Sequence, residues 1–177
     1  IPPSDFPSLL REIPQPPKQL YVRGTLPDPS KFYYLAIVGS RKYTSYGREA
    51  TERIIAGLAG YPICIVSGLA MGIDGIAHRA ALDAGLPTLA IPGSGLSDRV
   101  LYPRTHHRLA REILESGGAL LSEYEPELEA APWTFPQRNR IMAGISSGVL
   151  IIEAEELSGT RITARLALDY NRNVFAV

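Results

Sequence analysis

Three glycines within eight positions, at 68, 72 and 75, make residues 67–78 the most informative stretch of the sequence for chemistry. The stretch reads Ser-Gly-Leu-Ala-Met-Gly-Ile-Asp-Gly-Ile-Ala-His and follows directly after the apolar run Ile63–Val66. Glycine leaves backbone N–H groups unshielded, and such groups at the start of a helix suit a bound phosphate. The stretch therefore predicts a phosphate site, either for a nucleotide or for the backbone of a nucleic acid.

A second candidate site follows an earlier apolar run. There Gly39, Ser40 and Arg41 combine backbone amides with a hydroxyl and a guanidinium. Because an arginine fork recognises anions through paired hydrogen bonds, we interpret these residues as an anion site. The simpler alternative is a solvated arginine after a tight turn.

The third candidate is Trp133–Gly144, which places two aromatic residues, two amides and two arginines close together. We expect Phe135 to stack on a base while Arg138 and Arg140 bind phosphates, with Asn139 between the two arginines. The alternative is that both aromatic residues belong to the core and the arginines lie on the surface. Beside the glycine-rich loops, the nucleic-acid interpretation is favoured.

The other reactive side chains fit structural roles. Asp74 is predicted to be an N-cap or a first-turn acid of the helix that follows the glycine-rich loop, and His78, one turn later, to be a structural histidine. His106 and His107 have no acid or cysteine at ligand spacing, so we expect no metal site. The single cysteine, Cys64, lies in an apolar run, so no disulfide can form within the chain and a reducing, cytoplasmic location is expected.

The composition is that of a globular domain. The 177 residues are 45% hydrophobic and 20% charged, and the formal net charge is zero. Fifteen of the 18 basic residues are arginine, which binds phosphate in a planar fork and stacks on bases, although a GC-rich genome explains the same bias. No apolar run approaches the roughly 20 residues of a membrane span, so we expect no contact with a membrane.

Strands and helices must alternate to position these segments. The sequence predicts strands at 34–38, 63–66, 87–91, 119–121, 149–152 and 174–177, and helices at 47–59, 73–84, 105–116, 138–145 and 162–170. This alternation indicates an α/β fold with a doubly wound, mostly parallel sheet, an extended Rossmann-like architecture over residues 31–177. Residues 1–30, with eight of the 15 prolines, are expected to form a lead-in that packs on this core.

Four loops of small residues follow predicted strands, beginning at Gly39, Ser67, Pro92 and Ser158. Ligands of open α/β sheets bind beyond the carboxyl ends of the strands, so these loops predict a binding rim at one edge of the sheet. A dinucleotide fingerprint is missing, since Gly-Ser-Arg-Lys-Tyr follows the first strand and Ser67 stands where an acid would bind a ribose. Walker A and G-x-S-x-G motifs are missing too, so no cofactor and no catalytic residue are expected.

Taken together, the segments resemble the DNA-processing protein A family, also called DprA or Smf. The resemblance runs in order and at family spacing from about Leu20 to the end, and is carried by Val38–Arg41, Ser67–His78, Tyr102-Pro103, Ser122–Tyr124, Phe135–Gly144, Glu153-Ala154, Ser158–Ala164 and Val174–Val177. Two positions depart from the family pattern. His106 stands where the family usually has Asn, and Glu125 precedes Pro126 where the proline usually follows Ser-Glu-Tyr directly.

The resemblance implies a non-enzymatic protein that binds single-stranded DNA, protects incoming strands and loads the RecA recombinase onto them during natural transformation. It also implies a homodimer. A small winged-helix-like domain often follows in the family and is not expected within this chain, which stops at Val177. The DNA-contacting positions carried over from the family motifs are Gly39, Ser40, Arg41, Ser67, Gly68, Ala70, Gly72, Phe135, Arg138, Asn139 and Arg140.

Two alternatives stay open. Rossmann relatives that cleave nucleoside monophosphates, the phosphoribohydrolases, resemble this layout and carry Pro-Gly-Gly-x-Gly-Thr-x-x-Glu with a catalytic glutamate. The nearest match, Leu157–Thr163, lacks that glutamate, although Glu153 could replace it from the strand end. The other alternative is an adaptor whose main task is to dock RecA.

Overall fold

The computed structural model describes residues 1–154 and 159–177, built around a seven-stranded sheet. The strands are β1 (Tyr21–Gly24), β2 (Tyr33–Gly39), β3 (Ile63–Ser67), β4 (Thr88–Ala90), β5 (Ala119–Ser122), β6 (Gly148–Ile152) and β7 (Asn173–Ala176). Their order is β1-β5-β4-β3-β2-β6-β7. β1 is antiparallel to β5, and all other neighbours are parallel. The predicted rim loop that begins at Ser158 starts outside the described residues.

Helices cover both faces of this sheet. They are α1 (Ser8–Arg11), α2 (Ser45–Gly57), α3 (Ile73–Asp83), α4 (His107–Glu115), α5 (Thr134–Ile145) and α6 (Gly159–Asp169), with short 3-10 turns at Pro3–Asp5 and Arg104–His106. α2 contacts α3 and α3 contacts α4, whereas α5 contacts α1 and α6. The two groups form the outer layers of a three-layer α/β fold. No helix within the described ranges is long and apolar enough to cross a bilayer.

The apolar runs of the sequence reflect burial on both faces. In β2, Tyr34, Ala36 and Val38 enter the core beneath α5, while Ile37 enters the core beneath α2 and α3. A strand that is covered on both faces needs apolar residues at successive positions, which explains why these strands lack an apolar–polar alternation. The predicted α/β class with a doubly wound, mostly parallel sheet is confirmed.

The winding of the chain creates a switch point between β2 and β6. From β2 the chain moves through β3 and β4 to β5 in one direction, and α5 then returns it to β6 on the opposite side of β2. Gly39 at the end of β2 is paired with Ile152 at the end of β6. The helices that follow these two strands, α2 and α6, belong to opposite layers, and the switch point between such strands is where ligands of these folds bind.

The proline-rich lead-in is anchored in the core. Phe6, Leu10, Ile13 and Leu20 are buried among residues of α5 and the sheet. The lead-in also contains β1, the antiparallel edge strand, which the sequence analysis did not predict. Helix α5 begins at Thr134, four residues before its predicted start.

Candidate nucleic-acid interface

A pocket of about 670 Å³ opens at the switch point. Its walls are residues 38–42 at the end of β2, Ala70 and Asp74 at the start of α3, residues between 132 and 142 around the start of α5, and residues between 159 and 163 at the start of α6. The predicted binding rim therefore corresponds to a concave site, and three of its four loops contribute lining residues.

The loop after β2 presents cations at the mouth of this pocket. Ser40 is buried, and its hydroxyl donates to the Lys42 carbonyl at 2.8 Å and accepts from the Lys42 amide at 3.0 Å. These bonds fix the turn and leave Arg41 and Lys42 exposed to solvent. Ser40 thus shapes the loop, while Arg41 and Lys42 supply its charge.

Arg41 lies over the ring of Phe135. The guanidinium carbon is 5.3 Å from the ring centroid, within range of a cation–π contact. Tyr102 meets the same ring edge-on, with the centroids 5.8 Å apart. Phe135 itself is only half-buried, so an aromatic ring and the cation that lies over it are both accessible at the pocket. Proteins that bind single strands use an aromatic ring to stack on a base and a cation to bind a phosphate.

The glycine-rich loop holds a carboxylate of the chain itself. The Gly68 amide donates to Asp74 Oδ2 at 3.1 Å, and the Ala70 amide is also hydrogen-bonded to that carboxyl. Ser67 is fully buried, and its hydroxyl donates to the Ile37 carbonyl. The amides of Gly68 and Ala70 are therefore not free for a phosphate. Asp74 lies in the first turn of α3, as one of its two predicted positions has it, and there its carboxylate binds the preceding loop.

Arg138 is buried and connects two loops through hydrogen bonds. Its Nη1 donates to the Gly68 carbonyl at 2.7 Å and to the Ile91 carbonyl, and its Nε donates to Asn139 Oδ1 at 3.1 Å. Burial lowers the pKa of Arg138, an effect that the Asp74 carboxylate opposes. Burial likewise raises the pKa of Asp74 against the influence of Arg138 and the loop amides. Arg138 borders the pocket, but its hydrogen bonds serve the loops after β3 and β4.

Gly68 and Gly72 are required by close approaches. A Cβ on Gly68 would lie 2.5 Å from Asp74 Oδ2 and would also clash with Arg138 Nη1. Gly72 has φ near +85°, and a Cβ there would lie 2.7 Å from Arg41 Cα. The loop after β3 therefore touches the loop after β2, and the Ile73 amide donates to the Ser40 carbonyl at 3.2 Å. Gly72 thus allows the loop after β3 to pack against the backbone of Arg41.

Seven of the predicted site residues line the pocket: Gly39, Ser40, Arg41, Ala70, Phe135, Arg138 and Asn139. Ser67, Gly68 and Gly72 lie behind its wall. Arg140 faces elsewhere, forming an ion pair with Glu123 and donating to the Gln15 carbonyl of the lead-in at 2.8 Å. Sequence reasoning missed Lys42 and Tyr102, although each adjoins or contacts a residue that it identified.

Glu153 is held at the start of α2. Its carboxylate accepts hydrogen bonds from the Thr44 amide at 2.9 Å and from the Thr44 hydroxyl, and these bonds lower its pKa. The residue adopts φ near +52°, a costly conformation for a side chain other than glycine. In nucleotide-binding relatives of this fold a helix N-terminus receives phosphate. At α2 the chain's own carboxylate takes that place.

The histidines are hydrogen-bonded within the fold. His78 is fully buried with Nδ1 2.8 Å from Thr88 Oγ1, and burial lowers its pKa to about 3. His106 Nδ1 lies 2.7 Å from the carbonyl of Leu69, a residue in the left-handed region. Among the described residues, no three His, Cys, Asp or Glu side chains come together as a metal site would require.

Comparisons with known proteins show the family to which the chain is similar. The sequence matches the family profile described as DNA recombination-mediator protein A over residues 2–177. It is 43% identical to Protein Smf of Escherichia coli (strain K12), covering 97% of this chain and 45% of the relative. It is 42% identical to DNA processing protein DprA of Streptococcus pneumoniae, covering 97% and 59%. The chain thus spans about half the length of these relatives.

Solved structures show the same fold. DNA processing protein A from Streptococcus pneumoniae superposes with a TM-score of 0.88 at 42% identity, over 97% of this chain and 59% of that one. The Helicobacter pylori protein, whose structure describes its single-stranded DNA binding mode, gives a TM-score of 0.88 at 32% identity, over 97% and 77%. A molybdenum cofactor binding protein from Rippkaea orientalis, at 16% identity and a TM-score of 0.59 over 82% and 76%, shares the fold alone.

Proposed function

Since this chain belongs to the DNA recombination-mediator protein A family, we propose that it is a DNA-processing protein that binds single-stranded DNA at the pocket between β2 and β6. The observation that carries the proposal is the position of Arg41, 5.3 Å over the ring of Phe135. The two side chains offer a phosphate partner and a stacking surface to one nucleotide. The single-stranded DNA binding mode described for the Helicobacter pylori relative supports the same ligand.

The recessed ring favours a single strand over a duplex. Phe135 is half-buried in a concave site, so a base must leave its own stack to reach the ring. In a duplex this costs a few kcal/mol of stacking and pairing, whereas bases of a single strand are free to turn outward. Arg41 and Lys42 at the pocket mouth then meet the phosphates.

We further propose that the bound strand is incoming DNA in natural transformation, which the protein protects and onto which it loads RecA in the cytoplasm as a homodimer. The family resemblance supports these steps. RecA assembly on a coated single strand, followed with and without this protein, tests the loading step. Faster RecA nucleation is expected, whereas RecA binding by a chain without affinity for DNA would instead make it an adaptor.

We propose no catalytic step. A phosphoribohydrolase would need an acid for catalysis, and Glu153 is the candidate at the strand end. Its carboxylate is engaged by Thr44 at the start of α2, which argues for a capping role. Release of free base from a panel of nucleoside monophosphates tests the alternative, because turnover that is abolished in Glu153→Gln would establish an enzyme.

Titration of labelled oligo-dT and of a duplex at about 50 mM and about 200 mM salt tests the main proposal. Tight, salt-sensitive binding of the single strand alone is expected. Phe135→Leu should weaken that binding by about 5- to 150-fold through loss of about 1–3 kcal/mol of stacking, while Phe135→Tyr should retain it. Equal affinity for duplex and single strand would contradict the proposal.

A further inference from the structure

A row of arginines covers the outer face of α4, outside the pocket. Arg104 lies in the 3-10 turn before the helix, and Arg108 and Arg111 follow at the fourth and seventh positions after it. Residues with this spacing share one face of a helix. All three are exposed to solvent, as is Arg99 in the loop before them. Arg104, Arg108 and Arg111 therefore form a cationic strip along this face, with Arg99 in the loop that leads to it.

Acidic residues near the strip neutralise only part of its charge. Glu112 pairs with both Arg79 and Arg108, and Asp98 pairs with Arg23 at 2.6 Å. Arg111 also acts on the Asp98 carboxylate from a distance, and Glu115 lies exposed at the end of the helix. Within the described part of the chain, Arg99, Arg104 and Arg111 form no ion pair with an acid. The strip thus keeps a positive excess.

Tyr102 joins the strip to the pocket. Its ring is 46% exposed, contacts Phe135 edge-on and lies two residues before Arg104. Between residues 96 and 118 it is the one large apolar side chain that is exposed, so the strip has no apolar centre of the kind that protein partners use. A cationic surface that begins at an aromatic ring fits a polyanion whose bases stack.

We propose that the outer face of α4 is a second segment of the DNA track. It takes the phosphates of the same single strand after that strand leaves the pocket, and Tyr102 stacks on a base at the junction. This inference rests on the proposed function of the pocket and extends it. The bound strand is accordingly longer than the pocket alone accommodates.

Strand length separates the two segments in an experiment. A labelled oligo-dT of about six nucleotides should fill the pocket alone, whereas one of about twenty should reach α4. The double variant Arg108→Gln/Arg111→Gln should bind the long strand on the order of tenfold less tightly at ~0.1 M salt, with the slope of log K against log salt reduced by about 1.4. Its affinity for the short strand should not change.

Arg11→Gln/Arg53→Gln is the matched control. It removes two exposed arginines, one from α1 and one from α2, and so has the same net charge as the α4 double variant. Arg111→Gln alone leaves the ion pairs of Glu112 intact and should lower the slope by about 0.7. If the unaltered protein fails to bind the short strand, the proposed function of the pocket is wrong. If the short strand binds but the α4 variants match the control on the long strand, the track is overturned, and the strip would then serve an acidic protein partner.

Discussion

At the scale of single residues, two of the chain's own carboxylates occupy amides that could otherwise bind phosphate. Asp74 accepts from the glycine-rich loop, and Glu153 accepts from the start of α2. Nucleotide-binding folds of this class receive phosphates at such amides. The cations left at the pocket mouth are Arg41 and Lys42, which lie on an exposed loop. They can meet the phosphates of a chain that passes along the surface.

Replacement of Arg41 by alanine should weaken binding of oligo-dT about fivefold at ~0.1 M salt. It should also reduce the slope of log K against log salt by about 0.7, because one phosphate contact releases about that many counterions on a single strand. Fluorescence titration at a series of salt concentrations measures both quantities. Arg53→Ala, at an exposed position on α2, is the control. An unchanged slope would show that Arg41 does not bind a phosphate.

A methyl group at Gly68 should destabilise the fold. In Gly68→Ala the new Cβ would lie 2.5 Å from Asp74 Oδ2 and would displace Arg138, so we expect a loss of about 2–4 kcal/mol in the free energy of unfolding. Gly57→Ala is the matched control, because nothing lies within 4 Å of its Cβ and alanine favours a helix. Urea unfolding compares the two, and equal stability would contradict the packing of this loop.

Sequence reasoning identified the partners at the site better than their roles. Arg41 and Phe135 were predicted separately, and their contact follows from loops that converge at a switch point. Arg138 and Arg140 looked equivalent in sequence, yet one is buried against carbonyl groups and the other is paired with Glu123. Burial depends on how α5 meets the neighbouring loops, and local spacing carries no information on that contact.

At the scale of elements, Arg140 connects α5 to the lead-in. It forms an ion pair with Glu123 in which both side chains are largely buried, and it donates to the Gln15 carbonyl. Burial raises the pKa of Glu123, and Arg140 opposes that shift. The pair therefore secures the lead-in, from a position outside the pocket.

Arg140→Gln should consequently lower the stability of the protein more than its affinity for DNA. Loss of the cation leaves Glu123 buried without its partner, so we expect a decrease of about 1–3 kcal/mol in the free energy of unfolding. The double variant Arg140→Gln/Glu123→Gln should recover much of that loss, because it removes the unpaired charge. Urea unfolding and oligo-dT titration test the pair. A variant that is fully stable but binds weakly would return Arg140 to the DNA-contacting residues.

Strands and helices with strong apolar patterns were predictable from the sequence. The exceptions are β1 and the start of α5, and each has a local cause. β1 has four residues next to a proline-rich stretch, and antiparallel pairing with β5 determines it more than its own sequence does. Helix α5 was predicted to start at 138, but it starts at Thr134 and so includes Pro136. Pro136 lies in the first turn of α5, where a helix needs no amide hydrogen from it.

At the scale of the whole molecule, a net charge of zero conceals separate charged regions. Glu125, Glu127 and Glu129 are exposed between β5 and α5, whereas exposed arginines lie on α4 and in the turn before it. A polyanion responds to local potential, so a neutral chain can bind it where the cations gather. The bulk charge of the sequence therefore does not exclude nucleic acid as a ligand.

His78 links the stability of the whole fold to pH. It is fully buried between α3 and β4, where its Nδ1 contacts Thr88. Burial, together with the charges of His106 and Arg138, lowers its pKa to about 3. The ordinary value in an unfolded chain is about 6.5. Below about pH 6.5 the His78 imidazole is protonated in the unfolded state but stays neutral in the folded state, so acid favours unfolding.

Between about pH 6.5 and about pH 5, this histidine should therefore cost the protein about 2 kcal/mol of stability, at up to about 1.4 kcal/mol per pH unit. His78→Asn keeps a donor for Thr88 but cannot take up the proton, so its free energy of unfolding should fall less over the same range. Urea unfolding across this range gives the difference, with His107→Asn, at a partly exposed ring, as the control. Parallel pH curves for His78→Asn and the unaltered protein would mean that His78 is protonated in the folded state, and that the core around it admits a charge.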